Sequence, residues 1–243
     1  MPSTLNILGV PVHDVTYDET LTLIGQFIAD GGPHQICTVN PEFVMAARDD
    51  ADFMNILRGA DLCVPDGVGL LWASRLKGQP LRQRVAGSDL VPMIAAEAAS
   101  RRWRVFFLGA AEGVAERAAS ILKARHPELI VAGVWVGSPQ PQDDEVTFAK
   151  IRAASPQILF VAYGAPAQDK WIARNRGRLH VPVMMGVGGS FDFVAGAAGR
   201  APRWMQRIGL EWLHRLIRQP WRWRRMLALP RFAIAVLMQS PKR

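Results

Sequence analysis

Val105-Phe106-Phe107-Leu108-Gly109-Ala110-Ala111-Glu112-Gly113-Val114 decides how this chain folds. The apolar run Val105 to Leu108 reads as a strand, the glycines as a tight turn, and Val114 to Arg125 as a helix. A second β-like run, Ile130 to Val134, follows. Strand, helix and strand in this order make a crossover unit of a parallel sheet. Outward from it the alternation repeats. Toward the N-terminus, Leu5 to Leu8, Gln35 to Val39 and Leu62 to Val64 read as strands. Tyr17 to Ala29, Pro41 to Arg48, Ala51 to Leu57, Val68 to Leu76 and Leu90 to Ser100 read as helices. Toward the C-terminus, Ile158 to Ala162 and Val183 to Met185 are strands, and Asp144 to Ala153 and Gln168 to Asn175 helices. The polar, turn-rich segment Lys77 to Ser88 reads as a mobile loop. The pattern predicts an α/β, Rossmann-like, mostly parallel sheet with helices on both faces. Ligands of such sheets sit beyond the carboxyl ends of the strands, so the residues just after each strand carry the functional question.

The charge divides the chain in two. Its 243 residues carry 29 Lys and Arg against 21 Asp and Glu, a net +8. From Gly196 onward there are eleven basic residues, and Glu211 is the lone acid, so the tail is +10 and the preceding body −2. We read residues 1–195 as a catalytic domain and 196–243 as a basic, Trp-rich C-terminal appendage. Four of the eight tryptophans, Trp204, Trp212, Trp221 and Trp223, lie in the appendage. Gly209 to Gln219 has an apolar face beside a basic one, and Pro220 must bend or interrupt a helix there. The Arg/Trp mixture suits an anionic membrane surface or, as the rival reading, nucleic acid. No run reaches the ~20 apolar residues that span a bilayer. The nearest, Met226 to Met238, is short and broken by Pro230 and Arg231. Met1 to Asn6 do not look like a signal peptide, and Cys37 and Cys63 form no framework, so a reduced, cytoplasmic protein is expected.

Four strand ends carry the candidate chemistry. Thr38 and Asn40 place a hydroxyl and an amide after one strand, although Asn40-Pro41-Glu42 is also an ordinary helix start. In Pro65-Asp66-Gly67, Asp66 has the setting of a general base, or of a helix cap. The turn at Gly109 offers amides to a phosphate, or is a plain tight connection; it falls short of the GxGxxG that the rival enzyme reading, a nicotinamide-dependent oxidoreductase, would need. Gly186-Val187-Gly188-Gly189-Ser190-Phe191-Asp192 allows close approach of a ligand at Gly188, with Asp192 as an acceptor for a ribose or base. Asp50-Ala51-Asp52 is a literal DxD, but its place in a polar helical stretch makes it a capped helix start. Asp143 and Asp144 likewise read as a helix start. The five histidines lack ligand spacing, so no protein-built metal site is expected.

Together these segments resemble the WecG/TagA/CpsF glycosyltransferase family. The pieces that carry the resemblance are Thr38-Val39-Asn40, Pro65-Asp66-Gly67, Arg84 to Asp89, Phe107-Leu108-Gly109 with Gly113, Gly164-Ala165-Pro166-Ala167-Gln168, Gly186 to Asp192, Arg200-Ala201-Pro202 and Glu211-Trp212-Leu213. They occur in the family's order over nearly the whole chain. The resemblance implies an inverting transferase without a metal cofactor. It would move a sugar from a UDP-sugar to a sugar on a polyprenyl diphosphate in surface polysaccharide synthesis, peripherally on the inner face of the membrane. It implies Asp66 as base, with Thr38, Asn40 and Gln168 on the donor sugar. Arg84 would meet a phosphate, Gly109 and Gly188 the donor, and Asp192 the nucleoside. Arg215, Arg222 and Arg225 would take the acceptor diphosphate. No nucleic-acid partner is implied, and a homo-oligomer is compatible. Two places depart from the family: Asp169 stands where Glu is usual, and Val136-Gly137-Ser138-Pro139 lacks the usual aromatic, leaving Trp135 as a substitute platform.

Overall fold

The computed structural model describes residues 2–202, 204–205, 210–218, 220 and 223–239, without the side chain of Arg215. Six parallel strands form the central sheet: β3 (His34–Val39), β4 (Leu62–Pro65), β5 (Arg104–Gly109), β6 (Ile130–Trp135), β7 (Ile158–Ala162) and β8 (Val183–Gly186), in the order β4-β3-β8-β7-β5-β6. Apart from the partly buried edge strand β6, the strands bury both faces, and successive residues feed opposite cores. Val105 and Phe107 of β5, and Ile158 and Phe160 of β7, join one cluster. Phe106, Leu108, Leu159 and Val161 join the other face. This period-two division is what a helix-covered parallel sheet requires.

The helices are α1 (Tyr17–Asp30), α2 (Pro41–Asp49), α3 (Ala51–Arg58), α4 (Val68–Leu76), α5 (Gly87–Arg101), α6 (Val114–Arg125), α7 (Asp144–Ala154), α8 (Ala167–Leu179) and the short α9 (Ser190–Val194). In the appendage are α10 (Glu211–Arg218), α11 (Trp223–Met226) and α12 (Ala228–Met238). Local chemistry sets their starts. Thr16 and Glu19 form a reciprocal capping box for α1, and Asn40 and Asp50 accept from Phe43 N and Phe53 N to cap α2 and α3. The DxD aspartate Asp50 is thus a helix cap, and it also pairs with Lys170 at 2.6 Å.

Three expectations are revised. The first strand is half of an antiparallel hairpin, β1 (Thr4–Ile7) and β2 (Val10–His13), whose Ile7, Val10 and Val12 pack with Cys37, Val39 and Cys63. Asp143 and Asp144 stand at the start of α7 as read, and the Asp144 carboxylate is in addition a buried acceptor for Trp171 Nε1 at 2.8 Å and for Arg174. The segment 77–88 is pinned: Arg82 bonds Asp14 and Glu19, and Val85 N donates to Pro65 O. Pro230 and Arg231 do not interrupt α12, because Pro230 falls in its first turn, where no intrahelical donor is lost. One face of α12 buries Phe232 and Val236 in the cluster that includes Phe43 and Val44 of α2. No described helix is long and apolar enough to cross a membrane.

Candidate active site

The carboxyl ends of four neighbouring strands, β4, β3, β8 and β7, open into one cavity of about 530 Å³. The segment after each strand contributes to its wall: Asp66 after β4, Asn40 after β3, Gly188 after β8, and Gly164 with Gln168 after β7. Thr38, Arg84 and Arg225 line it as well.

Asp66 is held by backbone rather than used by it. Its N–H donates to Val39 O at 2.7 Å, which fixes the chain at the end of β4. The N-cap of α4 is Gly67, and no side chain caps that helix. The carboxylate therefore does not cap α4; it accepts from Gly87 N, the first amide of α5, at 3.1 Å and faces Arg84 Nε at 3.8 Å. Gly67 has φ +141, and a Cβ on Gly69 would stand 2.7 Å from Pro41 Cγ. Only glycines let this turn press against the Asn40-Pro41 turn, bringing the two strand ends into one wall.

The other side chains are equally constrained. Gln168 is buried, and its Oε1 accepts from Gly188 N at 2.9 Å, which ties the β7 and β8 loops together. Thr38 is buried with its hydroxyl 3.4 Å from Gly186 O. Asn40 caps α2 through its oxygen, so the cap and the cavity wall share one residue. Arg84 Nη2 meets Glu211 Oε2 at 2.7 Å. Burial opposes the Arg84 charge, but Asp66 and Glu211 outweigh it and hold the guanidinium pKa above its usual value. Arg200 extends the chain of charges, pairing with Asp89 and standing 4.0 Å from Glu211. The Tyr17 hydroxyl, next to Asp89, has its pKa pushed up to about 12 chiefly by burial.

Not every expected residue reaches this cavity. Gly109 does not line it, because β5 lies beyond β7 in the strand order. With φ +94, Gly109 instead packs its bare Cα against β7, where a Cβ would be 2.9 Å from Ala162 C. Asp192 sits on α9 just past the Gly188 loop and is not a lining residue either. Trp135 is also outside; Lys150 Nζ lies 4.0 Å over its ring. Arg225 lines the cavity while its Nη2 pairs with Glu42 at 2.8 Å. Arg222 and the side chain of Arg215 lie outside the described residues. Asp169, the family departure, is buried next to the lining residue Gln168, and burial pushes its pKa up to about 7. Glu211 was not foreseen as a site residue, although a lone acid among eleven cations was a visible signal. No group of three or more His, Cys, Asp or Glu able to hold a metal occurs among the described residues.

A profile of the family described as "Glycosyl transferase WecG/TagA/CpsF family" matches residues 5–243. The chain belongs to the WecG/TagA/CpsF glycosyltransferase family. Among its relatives is a Bacillus subtilis (strain 168) protein, 38% identical over 205 residues, which covers 84% of this chain and 79% of the relative. A Staphylococcus aureus (strain MW2) protein is 32% identical over 240 residues, 98% of this chain and 94% of the relative. Both are named N-acetylglucosaminyldiphosphoundecaprenol N-acetyl-beta-D-mannosaminyltransferase. In this family member, the two tight turns at Asn40 and Asp66 and the Gln168 to Gly188 tie form the wall of a single cleft.

Proposed function

We propose that this chain is an inverting glycosyltransferase that moves a hexose or N-acetylhexosamine from a UDP-sugar to a sugar on a polyprenyl diphosphate, in bacterial surface polysaccharide synthesis. The relatives' printed names support the acceptor class and favour an N-acetylhexosamine. The observation that carries the reading is Asp66: a carboxylate in the cavity wall, beside Arg84 and not used to cap α4, the helix that follows it. Asp66 takes the proton of an acceptor hydroxyl as that oxygen attacks the anomeric carbon from the face opposite UDP. The bond to the diphosphate oxygen breaks in the same displacement, which inverts the configuration. The departing diphosphate gathers negative charge, and Arg84 is the cation placed to meet it. Thr38, Asn40 and Gln168 orient the donor sugar, and Arg225 is the described appendage arginine nearest the acceptor diphosphate. The reading includes no metal requirement, so a chelator leaves the rate unchanged.

The appendage serves as the membrane contact on the inner face. Its exposed Trp204, Ile217, Trp223, Leu237 and Met238 stand among exposed Arg218, Arg224 and Arg231. Apolar side chains with cations around them suit an anionic lipid surface.

The test is Asp66→Asn in transfer assays with UDP-sugars and a synthetic polyprenyl-diphosphate sugar. Loss of a positioned base lowers kcat by about 10²–10⁴-fold, while stabilisation by UDP in thermal melts persists. Equal loss of UDP binding would make Asp66 a structural residue and overturn the assignment.

A further inference from the structure

The cavity's polar lining comes from the strand ends together with Arg84, Glu211 and Arg225. The other half lies between α4 and the C-terminal helices and is lined by Val68, Trp72, Leu229, Phe232 and Ala233. Two stripes run through this half at four-residue spacing, so each follows one helix face. On α4 the stripe is Val68, Trp72 and Leu76; on α12 it is Leu229, Ala233 and Leu237. The first two members of each stripe line the cavity, and the third is exposed, Leu76 by 52% and Leu237 by 66%.

The two helices leave the polar site together. α4 begins directly after Asp66 and Gly67, and α12 begins just after Arg225. At their far ends Lys77 Nζ bonds Gln239 Oε1 at 2.8 Å. Near their starts, Gly69 faces Phe232, whose Cε1 would be 3.7 Å from a Cβ there. The stripes are thus two walls of a slot running roughly 12 Å from the reactive end to the surface, at 1.5 Å per helical residue. Arg225 lines the cavity three residues before α12 begins and pairs with Glu42 beside the Asn40-Pro41 turn, which ties it to both halves. An occupant matching this order has a sugar, then a diphosphate, then an apolar chain.

We propose that the slot between α4 and α12 binds the phosphate-proximal isoprenoid units of the acceptor's lipid chain. This rests on the transferase reading above and adds to it: the enzyme recognises the lipid itself, not only the sugar-diphosphate at a membrane surface. Chain units beyond the slot emerge past Leu76, Leu237 and Met238, the apolar rim of the same two helices.

The experiment uses the full chain without vesicles or detergent, and acceptors with one sugar-diphosphate joined to ethyl, geranyl or farnesyl. Below their aggregation concentrations, kcat/KM rises about tenfold or more from ethyl to geranyl, mostly through KM, and then levels off once the slot is filled. Ala233→Trp, which fills the slot, brings the geranyl-to-ethyl ratio close to one. A ratio that survives Ala233→Trp, or a gain that appears only when vesicles are added, overturns the proposal in favour of bulk lipid as the occupant of this face. Because that variant can misfold, wild-type protein is also photolabelled with a benzophenone-bearing farnesyl diphosphate. Label on α4 and α12 supports the slot, and label confined elsewhere refutes it. Absence of transfer to every acceptor defeats the transferase reading instead, and the labelling result still decides the slot.

Discussion

Removing Glu211 tests whether one carboxylate fastens the appendage over the site. Its bond to Arg84 is 2.7 Å long, between side chains only 21% and 12% exposed. Stripping a partner from a buried pair costs about 3–5 kcal/mol when the remaining charge is stranded. Arg84 would not be fully stranded, because Asp66 lies 3.8 Å away, and Arg200 keeps Asp89. The expected loss in Glu211→Ala is therefore nearer that of one charge-assisted hydrogen bond, about 2 kcal/mol. At 1.4 kcal/mol per decade, the docked-to-released ratio of α10 falls about 30-fold. Amide hydrogen exchange reads this directly: α10 exchanges faster by about that factor, while strands β5 and β7 keep their wild-type protection. Glu211→Gln keeps a hydrogen-bond acceptor and shows a smaller effect. If α10 exchange stays within about threefold of wild type, Glu211 does not fasten the appendage. If β5 and β7 lose protection equally, the residue supports the whole fold rather than the docking.

Further outcomes follow from buried groups and tight glycines. Asp169 keeps its proton in the folded state up to a pKa of about 7, against 3.8 ordinarily, so the folded chain holds a proton that the unfolded one releases between these values. Stability therefore falls as pH rises through that window, by about 1.4 kcal/mol per pH unit. Asp169→Asn removes this slope, so melting curves match wild type near pH 4 and exceed it at pH 8; an unchanged slope contradicts the assignment. Gly186→Ala places a Cβ 2.6 Å from Gln168 Nε2 and 2.8 Å from Asp169 Oδ1. Gln168 is pushed off Gly188, and the donor KM rises about tenfold or more, as steady-state kinetics would show. Gly177 lies within α8 with open space at its Cβ position. Gly177→Ala should raise unfolding stability by about 0.5–1 kcal/mol in urea titrations.

Much of this was legible in the chain. Alternating apolar runs and helical patterns fixed the sheet type, and the strand ends after β3, β4 and β8 carry residues read from their local motifs, whereas Gln168 after β7 came only with the family resemblance. The caps at Asn40 and Asp50 followed from side-chain chemistry alone. What was not legible depends on strand order or on distant contacts. Local motifs do not say that β5 lies outside β4-β3-β8-β7, so they do not reveal that Gly109 stands outside the cavity lining and packs closely on β7. β2 is four residues long and contains Pro11 and His13, which obscure its alternation, and its partner is local only because Leu8 and Gly9 turn the chain. Glu211 is 127 residues from Arg84, a separation no local pattern bridges.

The ion pairs between appendage and body have a cost for membrane binding. Arg200, Arg225 and Arg231 spend charge inward, on Asp89, Glu42 and Asp49. The body's excess of acids is thus the appendage's first anionic surface; under the proposed membrane docking, phospholipid is its second. The two compete for some of the same guanidiniums, so a strongly anionic bilayer can loosen the cover over the cleft as it captures the protein. Added salt weakens both attachments together, and an intermediate lipid charge, rather than the highest, should favour turnover.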